Sequence, residues 1–103
     1  MSNEKNASET TDAERATAEL VIVNELGLHA RAAVKLTQVA GKFPCEVTLR
    51  RDAQGANGKS VMGLLLLCGG KGTTITVEAV GPRAEEAVTA IQALVADKFG
   101  EGR

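Results

Sequence analysis

The sequence predicts a two-layer α+β domain in which helices cover one face of an antiparallel sheet. Two patterns support this fold class: short segments that alternate apolar and polar residues, and longer segments in which apolar residues recur every three or four positions. Alternation is typical of strands buried on one face, and the longer period is typical of helices that can cover that face. With 103 residues, the chain has room for one such domain.

Three segments have the pattern of strands, and a fourth strand is inferred from a turn. Residues 18–24 are short, apolar and β-branched. The segments after Pro44 and over Thr74–Val80 alternate apolar with polar residues, as in a sheet with one buried and one solvated face. A turn at residues 52–55 leaves room for a short strand around residues 54–57.

Two amphipathic helices are predicted, with an apolar segment between them. Over residues 30–40 apolar side chains recur at helical spacing, and Gly41 is a natural stop. Pro82 opens the last helix, whose apolar stripe runs to Phe99. Residues 60–68 fit a short helix or a strand equally well by periodicity alone. With a helix there, the predicted order is β-α-β-β-α-β-α.

The first 17 residues differ from the rest of the chain. They are rich in Ser, Thr, Asn, Glu and Ala and have no hydrophobic periodicity. Such a segment buries too little apolar surface to offset the entropy of ordering it. We therefore predict a disordered tail over residues 1–17 and a folded domain over residues 18–103.

The composition argues against several classes of function. The net charge is −1, and the only aromatic residues are two phenylalanines, which is too little charge and stacking surface for a nucleic-acid partner. No apolar run approaches the roughly 20 residues that span a bilayer. The first residues also lack the apolar centre of a secretion signal. We expect a cytoplasmic protein without membrane insertion.

The two cysteines do not form a recognisable metal or redox motif. Cys45 and Cys68 are far apart in the sequence, and a reducing compartment disfavours a disulfide between them. We expect both to be small buried hydrophobic residues. No metal and no other cofactor is predicted.

The segment over residues 24–33 contains the candidate for chemistry. His29, the single histidine of the chain, lies where a strand ends and a helix begins. Free backbone N–H groups and the positive end of the helix dipole favour an anion there. A neutral imidazole can attack phosphorus, and the guanidinium of Arg31 can hold phosphoryl oxygens. By position alone, a surface or capping histidine explains His29 as well.

Two short motifs resemble the signatures of the HPr family, the histidine phosphocarriers of bacterial phosphoenolpyruvate-dependent phosphotransferase systems. Residues 27–31, Gly-Leu-His-Ala-Arg, resemble the active-site signature, and residues 57–63, Asn-Gly-Lys-Ser-Val-Met-Gly, resemble the signature around a regulatory serine. The resemblance covers about residues 18–99. It implies an open-faced sandwich of four antiparallel strands and three helices.

The resemblance also implies the roles of the first motif. Enzyme I, itself charged from phosphoenolpyruvate, would phosphorylate His29 on Nδ1, and Arg31 would hold the phosphoryl group. The group would then pass to the A component of a sugar transporter or to a regulatory homologue. Ala32 departs from the commonest motif, which has proline there, and Leu26 stands where many members have a polar cap. Asn24 is the candidate replacement for that cap.

Ser60 is the candidate regulatory residue. Its position at the start of a short helical run also suits a simple N-cap, since a serine oxygen there accepts a backbone N–H. The resemblance implies modification by HPr kinase/phosphorylase in organisms that have that enzyme. A phosphate would add roughly −1.5 to −2 charges and would repel an acidic partner surface.

The apolar residues after Ser60 predict a docking surface. A short helix cannot bury all of them on one face, and at about 100° per residue the inward positions include Leu64, Leu67 and Cys68. Exposed apolar patches on small proteins usually mark binding sites. The residues expected to face a partner are Met62, Leu65 and Leu66, with Lys42 and Arg31 beside them. Phosphoryl transfer needs only a transient complex, and we expect the free protein to be a monomer.

Three other interpretations remain open. A regulatory phosphocarrier of the nitrogen branch, called NPr, would have the same chemistry without sugar uptake. A non-catalytic α+β ligand or interaction module would give His29 no chemistry. A standalone enzyme is disfavoured, because the motif offers neither a second catalytic base nor metal ligands.

Overall fold

Four strands and three helices follow one another along residues 14–103, the part of the chain that the computed structural model describes. In chain order the elements are β1 (Arg15–Val21), α1 (Ala30–Ala40), β2 (Glu46–Arg51), β3 (Gln54–Asn57), α2 (Val61–Leu66), β4 (Thr74–Val80), α3 (Ala84–Ala96) and a 3-10 turn (Lys98–Gly100). This order confirms the predicted α+β fold, and the ambiguous apolar segment after Ser60 is a helix.

The four strands form one antiparallel sheet in the order β1-β4-β2-β3. The central strand β4 pairs with β1 on one side and with β2 on the other, so that Ile75 lies opposite Leu20 and Val77 lies opposite Leu49. Apolar side chains at alternate positions are buried under the helices, and the polar side chains between them face solvent. The open-faced sandwich implied by the motifs is therefore present.

The helices pack closely because their buried faces carry mostly small residues. Helix α1 buries three alanines together with Leu36, and α3 buries four alanines or valines together with Ile91. Phe99, which follows α3, is fully buried in the same core. Burial of one such large apolar side chain contributes about 1.5–3 kcal/mol.

The folded domain begins earlier than the sequence predicts. Strand β1 starts at Arg15, three residues before the predicted boundary at Ala18. Arg15 forms a 2.6 Å ion pair with Glu78, and the Thr17 hydroxyl donates to the Val77 carbonyl at 3.1 Å. These polar residues face solvent, so the start of the strand has no apolar pattern. The rest of the predicted tail, residues 1–13, lies outside the described residues.

The prediction of two buried cysteines is right for Cys45 and wrong for Cys68. Cys45 is buried, whereas Cys68 is exposed, and both are free thiols. Cys68 has a positive φ of 55° just after α2, so the chain turns there and the side chain leaves the helix's inward face. Its carbonyl accepts a hydrogen bond from Arg51 at 3.2 Å.

Two further features concern residues 14–103 only. No group of three or more His, Cys, Asp or Glu side chains within this range is arranged to hold a metal ion. None of its helices has both the length and the apolar character needed to cross a membrane.

Candidate functional site

His29 is the N-cap of helix α1. Its backbone is extended, with φ −85° and ψ −176°, and its carbonyl accepts the first helical hydrogen bond from Ala33 N at 2.8 Å. Its ring nitrogen Nδ1 accepts from the backbone N–H of Arg31 at 3.3 Å, a long and therefore weak bond. The imidazole thus lies directly at the positive end of the helix, as the sequence predicts.

Gly27 positions this cap by a turn that only glycine can make. Its φ is +69°, and a Cβ there would lie 2.7 Å from the Gly69 carbonyl oxygen. The next residue, Leu28, donates its N–H to that same oxygen at 2.8 Å and buries its side chain. The loop before α1 is therefore fixed against the loop after α2, and the contact between the two loops determines the position of His29.

Glu101 contacts the other side of the imidazole and was missed by sequence reasoning. Its Oε2 lies 2.5 Å from His29 Nε2, across 72 positions of sequence. The His29 side chain is 25% exposed and that of Glu101 only 8%. The turn at Lys98–Gly100 brings Glu101 back over the start of α1. No periodicity or spacing in the sequence connects these two residues.

Asn24 also belongs to the site, where its side chain hydrogen-bonds to Glu101 and Gly27 and not to His29. The residue is fully buried, and its Nδ2 donates to Glu101 Oε1 at 2.9 Å and to the Gly27 carbonyl at 2.8 Å. Within the described residues its Oδ1 has no hydrogen-bond partner. The buried Asn24 amide therefore holds both the Glu101 carboxylate and the turn at Gly27 in place.

The electrostatics of the site favour an ionised Glu101. Burial raises the pKa of this carboxyl, but the hydrogen bonds from His29 and Asn24 and the charges of His29 and Arg31 lower it, and the net pKa lies below the ordinary value. An ionised carboxylate only accepts hydrogen bonds. Nε2 must therefore carry the proton of that contact, and in a neutral ring Nδ1 keeps the lone pair.

Positive charge surrounds the mouth of the site. Arg31 is exposed and lines an open cavity of about 300 Å³ together with Leu26, Lys35, Gly100, Glu101 and Arg103. Three of these side chains are cationic and one is a carboxylate. The cavity wall therefore carries a net positive charge, and its side-chain contact with the imidazole is made by Glu101.

Ser60 caps the short helix α2. Its Oγ accepts from the Gly63 N–H at 3.1 Å, and the side chain is only partly exposed. The preceding Lys59 donates from Nζ to the Phe43 carbonyl at 2.7 Å. Among the described residues, Ser60 has no hydrogen bond to a carboxylate or an imidazole.

The predicted docking residues divide into two groups. Met62 and Leu66 are 68% and 61% exposed, as expected, and Lys42 is exposed at the end of α1. The prediction that Leu65 faces outward is wrong, because Leu65 is half-buried and packs against the core. Leu65 is turned partly toward the core, which leaves Met62 and Leu66 as the exposed apolar patch.

Comparison with known proteins identifies the class to which this fold and site belong. The family model described as "PTS HPr component phosphorylation site" matches residues 16–97. The chain is 49% identical over 81 residues to the phosphocarrier protein HPr of Cupriavidus necator, covering 79% of this chain and 91% of that protein. It is also 47% identical over 83 residues to the phosphocarrier protein NPr of Shewanella violacea, covering 81% and 91%.

A solved structure agrees with these relatives. The crystal structure of HPr-C-His from Thermoanaerobacter tengcongensis superposes with a TM-score of 0.81 at 36% identity, covering 84% of this chain and 97% of that one. The fold and the matches define a phosphocarrier of the phosphotransferase system, a protein that carries a phosphoryl group and is not itself an enzyme. Within that class, the chain belongs to the HPr family.

Proposed function

We propose that His29 is the residue that carries the phosphoryl group, received from phosphorylated enzyme I and passed to the A component of a sugar transporter. The observation that carries this proposal is the contact of Nε2 with the Glu101 carboxylate. It leaves the Nδ1 lone pair at the N-terminus of α1, where a nucleophile and an anion-binding site coincide.

The transfer is a displacement at phosphorus. The Nδ1 lone pair of His29 forms the N–P bond while the bond between phosphorus and the enzyme I residue breaks, and that leaving group retains the electron pair. The weak bond from Arg31 N to Nδ1 opens, and this N–H becomes available to a phosphoryl oxygen. In the onward step the N–P bond breaks and its electron pair returns to Nδ1.

Glu101 stabilises the charged form of the ring. Once phosphorus is bonded to Nδ1 and the proton stays on Nε2, the imidazole carries a positive charge that the buried carboxylate balances. The guanidinium of Arg31 is the second group, since its planar fork suits phosphoryl oxygens. Neither residue reacts, so the role proposed for both is electrostatic.

The docking surface proposed for the partners combines Met62 and Leu66 with the cations Lys42 and Arg31. The two apolar side chains are among the most exposed large hydrophobic residues of the described chain, and α2 packs beside α1, which carries the histidine. Leu65 supports this surface from below. An apolar cleft with an acidic rim is the partner chemistry that fits it.

Ser60 is the proposed site of regulatory phosphorylation by HPr kinase/phosphorylase. The sequence around it resembles the family's regulatory signature, and its hydroxyl lies at a helix start that tolerates negative charge. Phosphorylation there adds charge close to the apolar patch without unfolding α2. The added charge would repel an acidic partner.

The nitrogen branch is the second candidate, and the identity shared with the Shewanella NPr supports it. Its chemistry at His29 would be the same, with a regulatory protein as acceptor. The motif around Ser60 favours the sugar branch, because a kinase target would otherwise have no use. Labelled protein offered to the A components of each branch would decide between them by which one accepts the phosphoryl group faster.

The test of the central proposal is labelling with enzyme I, Mg²⁺ and ³²P-phosphoenolpyruvate. The protein should gain an acid-labile label that the His29→Ala variant lacks. The Ser60→Ala variant is the matched control and should label like the unaltered protein. An unlabelled wild-type protein, or equal labelling of His29→Ala, would exclude the carrier role for this residue.

The regulatory proposal has its own test. Incubation with ATP and HPr kinase should give an acid-stable label on the wild type and on His29→Ala, and none on Ser60→Ala. Label that persists in Ser60→Ala would assign the modification to another residue.

A further inference from the structure

The segment after α3, residues 98–103, folds back as a strap across the start of α1. Lys98 and Phe99 adopt φ values of +57° and +54°, followed by Gly100 at +76°. Two consecutive non-glycine residues in the left-handed region carry a steric cost, so other contacts must hold the strap in this shape.

The strap is fastened near its end by the loop before His29. The N–H of Glu25 donates to the Arg103 carbonyl at 3.2 Å, and the Arg103 guanidinium lies 3.8 Å from the Glu25 carboxylate. Between these points, Glu101 makes its contacts with His29 and Asn24. The loop before α1 therefore holds the end of the strap through these contacts.

Lys35 fastens the other side of the strap. Its side chain extends from α1, and its Nζ donates to the Phe99 carbonyl at 2.6 Å, across 64 positions of sequence. The accepting carbonyl lies two residues before Glu101 and belongs to one of the two strained residues. Lys35 also lines the cavity beside Arg31, so its charge is retained at the site.

We propose that Lys35 is a positioning residue: by holding the Phe99 carbonyl, it keeps the Glu101 carboxylate on Nε2 of His29 and so keeps the ring proton there. The consequence for phosphoryl transfer rests on the function proposed for His29, whereas the position of the proton does not. The Phe99 side chain is buried independently of this bond, so loss of Lys35 should loosen the strap and leave the core folded.

The test compares Lys35→Met, which keeps the apolar stem, with Lys35→Arg, which keeps a cationic donor. Lys59→Met is the matched control, because it removes another lysine-to-carbonyl bond of similar length, to Phe43. Glu101→Ala sets the endpoint at which the acceptor for Nε2–H is absent. All four variants are measured unphosphorylated, by NMR.

The first readout is the proton resonance of the His29 Nε2–H. It should be sharp in the wild type, in Lys35→Arg and in Lys59→Met. In Lys35→Met it should broaden toward the Glu101→Ala spectrum, because the ring proton then exchanges with water. The second readout is the carboxyl titration of Glu101, whose lowered pKa should rise toward the ordinary value in Lys35→Met only.

Phosphoryl transfer from enzyme I gives the functional consequence. Lys35→Met should transfer about threefold to tenfold more slowly than the wild type, with recovery in Lys35→Arg. An unchanged Nε2–H resonance and an unchanged Glu101 titration in Lys35→Met would overturn the positioning role. A wild type that enzyme I does not label would overturn the carrier role of His29 without altering what the spectra say about Lys35.

Discussion

His29 and Ser60 occupy equivalent local positions at two different helices. Each is an N-cap with an extended backbone, and each side chain accepts a backbone N–H from the first turn, from Arg31 in one case and Gly63 in the other. Helix capping therefore does not distinguish the residue proposed to carry the phosphoryl group from the residue proposed as a kinase target. The distinction lies in what surrounds each side chain.

The surroundings differ in one charged contact. The imidazole of His29 has Glu101 on Nε2, so the proposed nucleophile, the Nδ1 lone pair, needs no removal of a proton. The hydroxyl of Ser60 must lose its proton to react, and within residues 14–103 it makes no hydrogen bond to a base. In the proposed modification of Ser60, the kinase would supply the general base. The distant strap, and not the local motif, therefore supplies the charged contact that would prepare His29 for the proposed chemistry.

The largest effect is expected at Gly27, which places His29 for its contacts. Gly27→Ala should lower the free energy of unfolding by about 3 kcal/mol, since it combines a left-handed backbone with a clash against Gly69. Gly72→Ala is the matched control: its φ is +89°, but a Cβ there meets nothing within 4 Å. That control should cost only about 1 kcal/mol. Equal losses in urea denaturation would mean that the clash is irrelevant.

The next effect tests the charge of Glu101. Glu101→Gln keeps the shape and a hydrogen-bond acceptor but removes the charge that balances the cationic ring. Transfer from enzyme I should slow by about tenfold to a hundredfold. Glu85→Gln, an exposed carboxylate on α3, should leave the rate unchanged. If Glu101→Gln transfers at the wild-type rate, the Glu101 contact does not explain the different roles proposed for His29 and Ser60.

A smaller effect is expected at the apolar patch beside Ser60. Met62→Glu should weaken binding of the protein to enzyme I, raising KM about tenfold, because a charge replaces exposed apolar surface at the interface. Val21→Glu, which alters a residue that is also exposed but lies on β1, is the control and should not change KM. If the two variants behave alike in steady-state transfer assays, α2 is not the docking helix.

The smallest effect separates the capping role of Ser60 from its regulatory role. Ser60→Ala should lower the free energy of unfolding by about 1 kcal/mol, because the Gly63 N–H loses its acceptor. Ser60→Asp restores an acceptor and adds a negative charge, so it should recover the stability while weakening transfer. If both variants show the same stability and the same transfer rate in paired thermal and kinetic measurements, then charge at this position does not regulate binding.

Local features of the chain are predictable from the sequence, and contacts between distant segments are not. Residues 30–40 and Thr74–Val80 have periodicities that indicate a helix and a strand by themselves. His29 and Ser60 are recognisable because each is part of a short motif. Glu101 and Lys35 have no such signal, because a single glutamate after a glycine and a single lysine on a helix have the pattern of ordinary surface residues. Only the folded strap brings Glu101 to His29 and the Phe99 carbonyl to Lys35.

The errors of prediction have the same physical origin. The pattern assigns Arg15 and Thr17 to the tail because an edge strand needs no apolar residues on its solvated face. It assigns Cys68 to the core because helical spacing is extended past Leu66 to Cys68, whose positive φ lies outside helical geometry. It assigns Leu65 to the surface because spacing alone does not show how the short helix α2 is rotated against the sheet.

Phosphorylation of His29 at Nδ1 can be tested by a ³¹P–¹⁵N coupling measurement on the protein phosphorylated by enzyme I, with its single histidine labelled with ¹⁵N. We expect a one-bond coupling from phosphorus to Nδ1 of His29, with a proton retained on Nε2 facing Glu101. A one-bond coupling to Nε2, or phosphorus on a residue other than His29, would contradict this expectation.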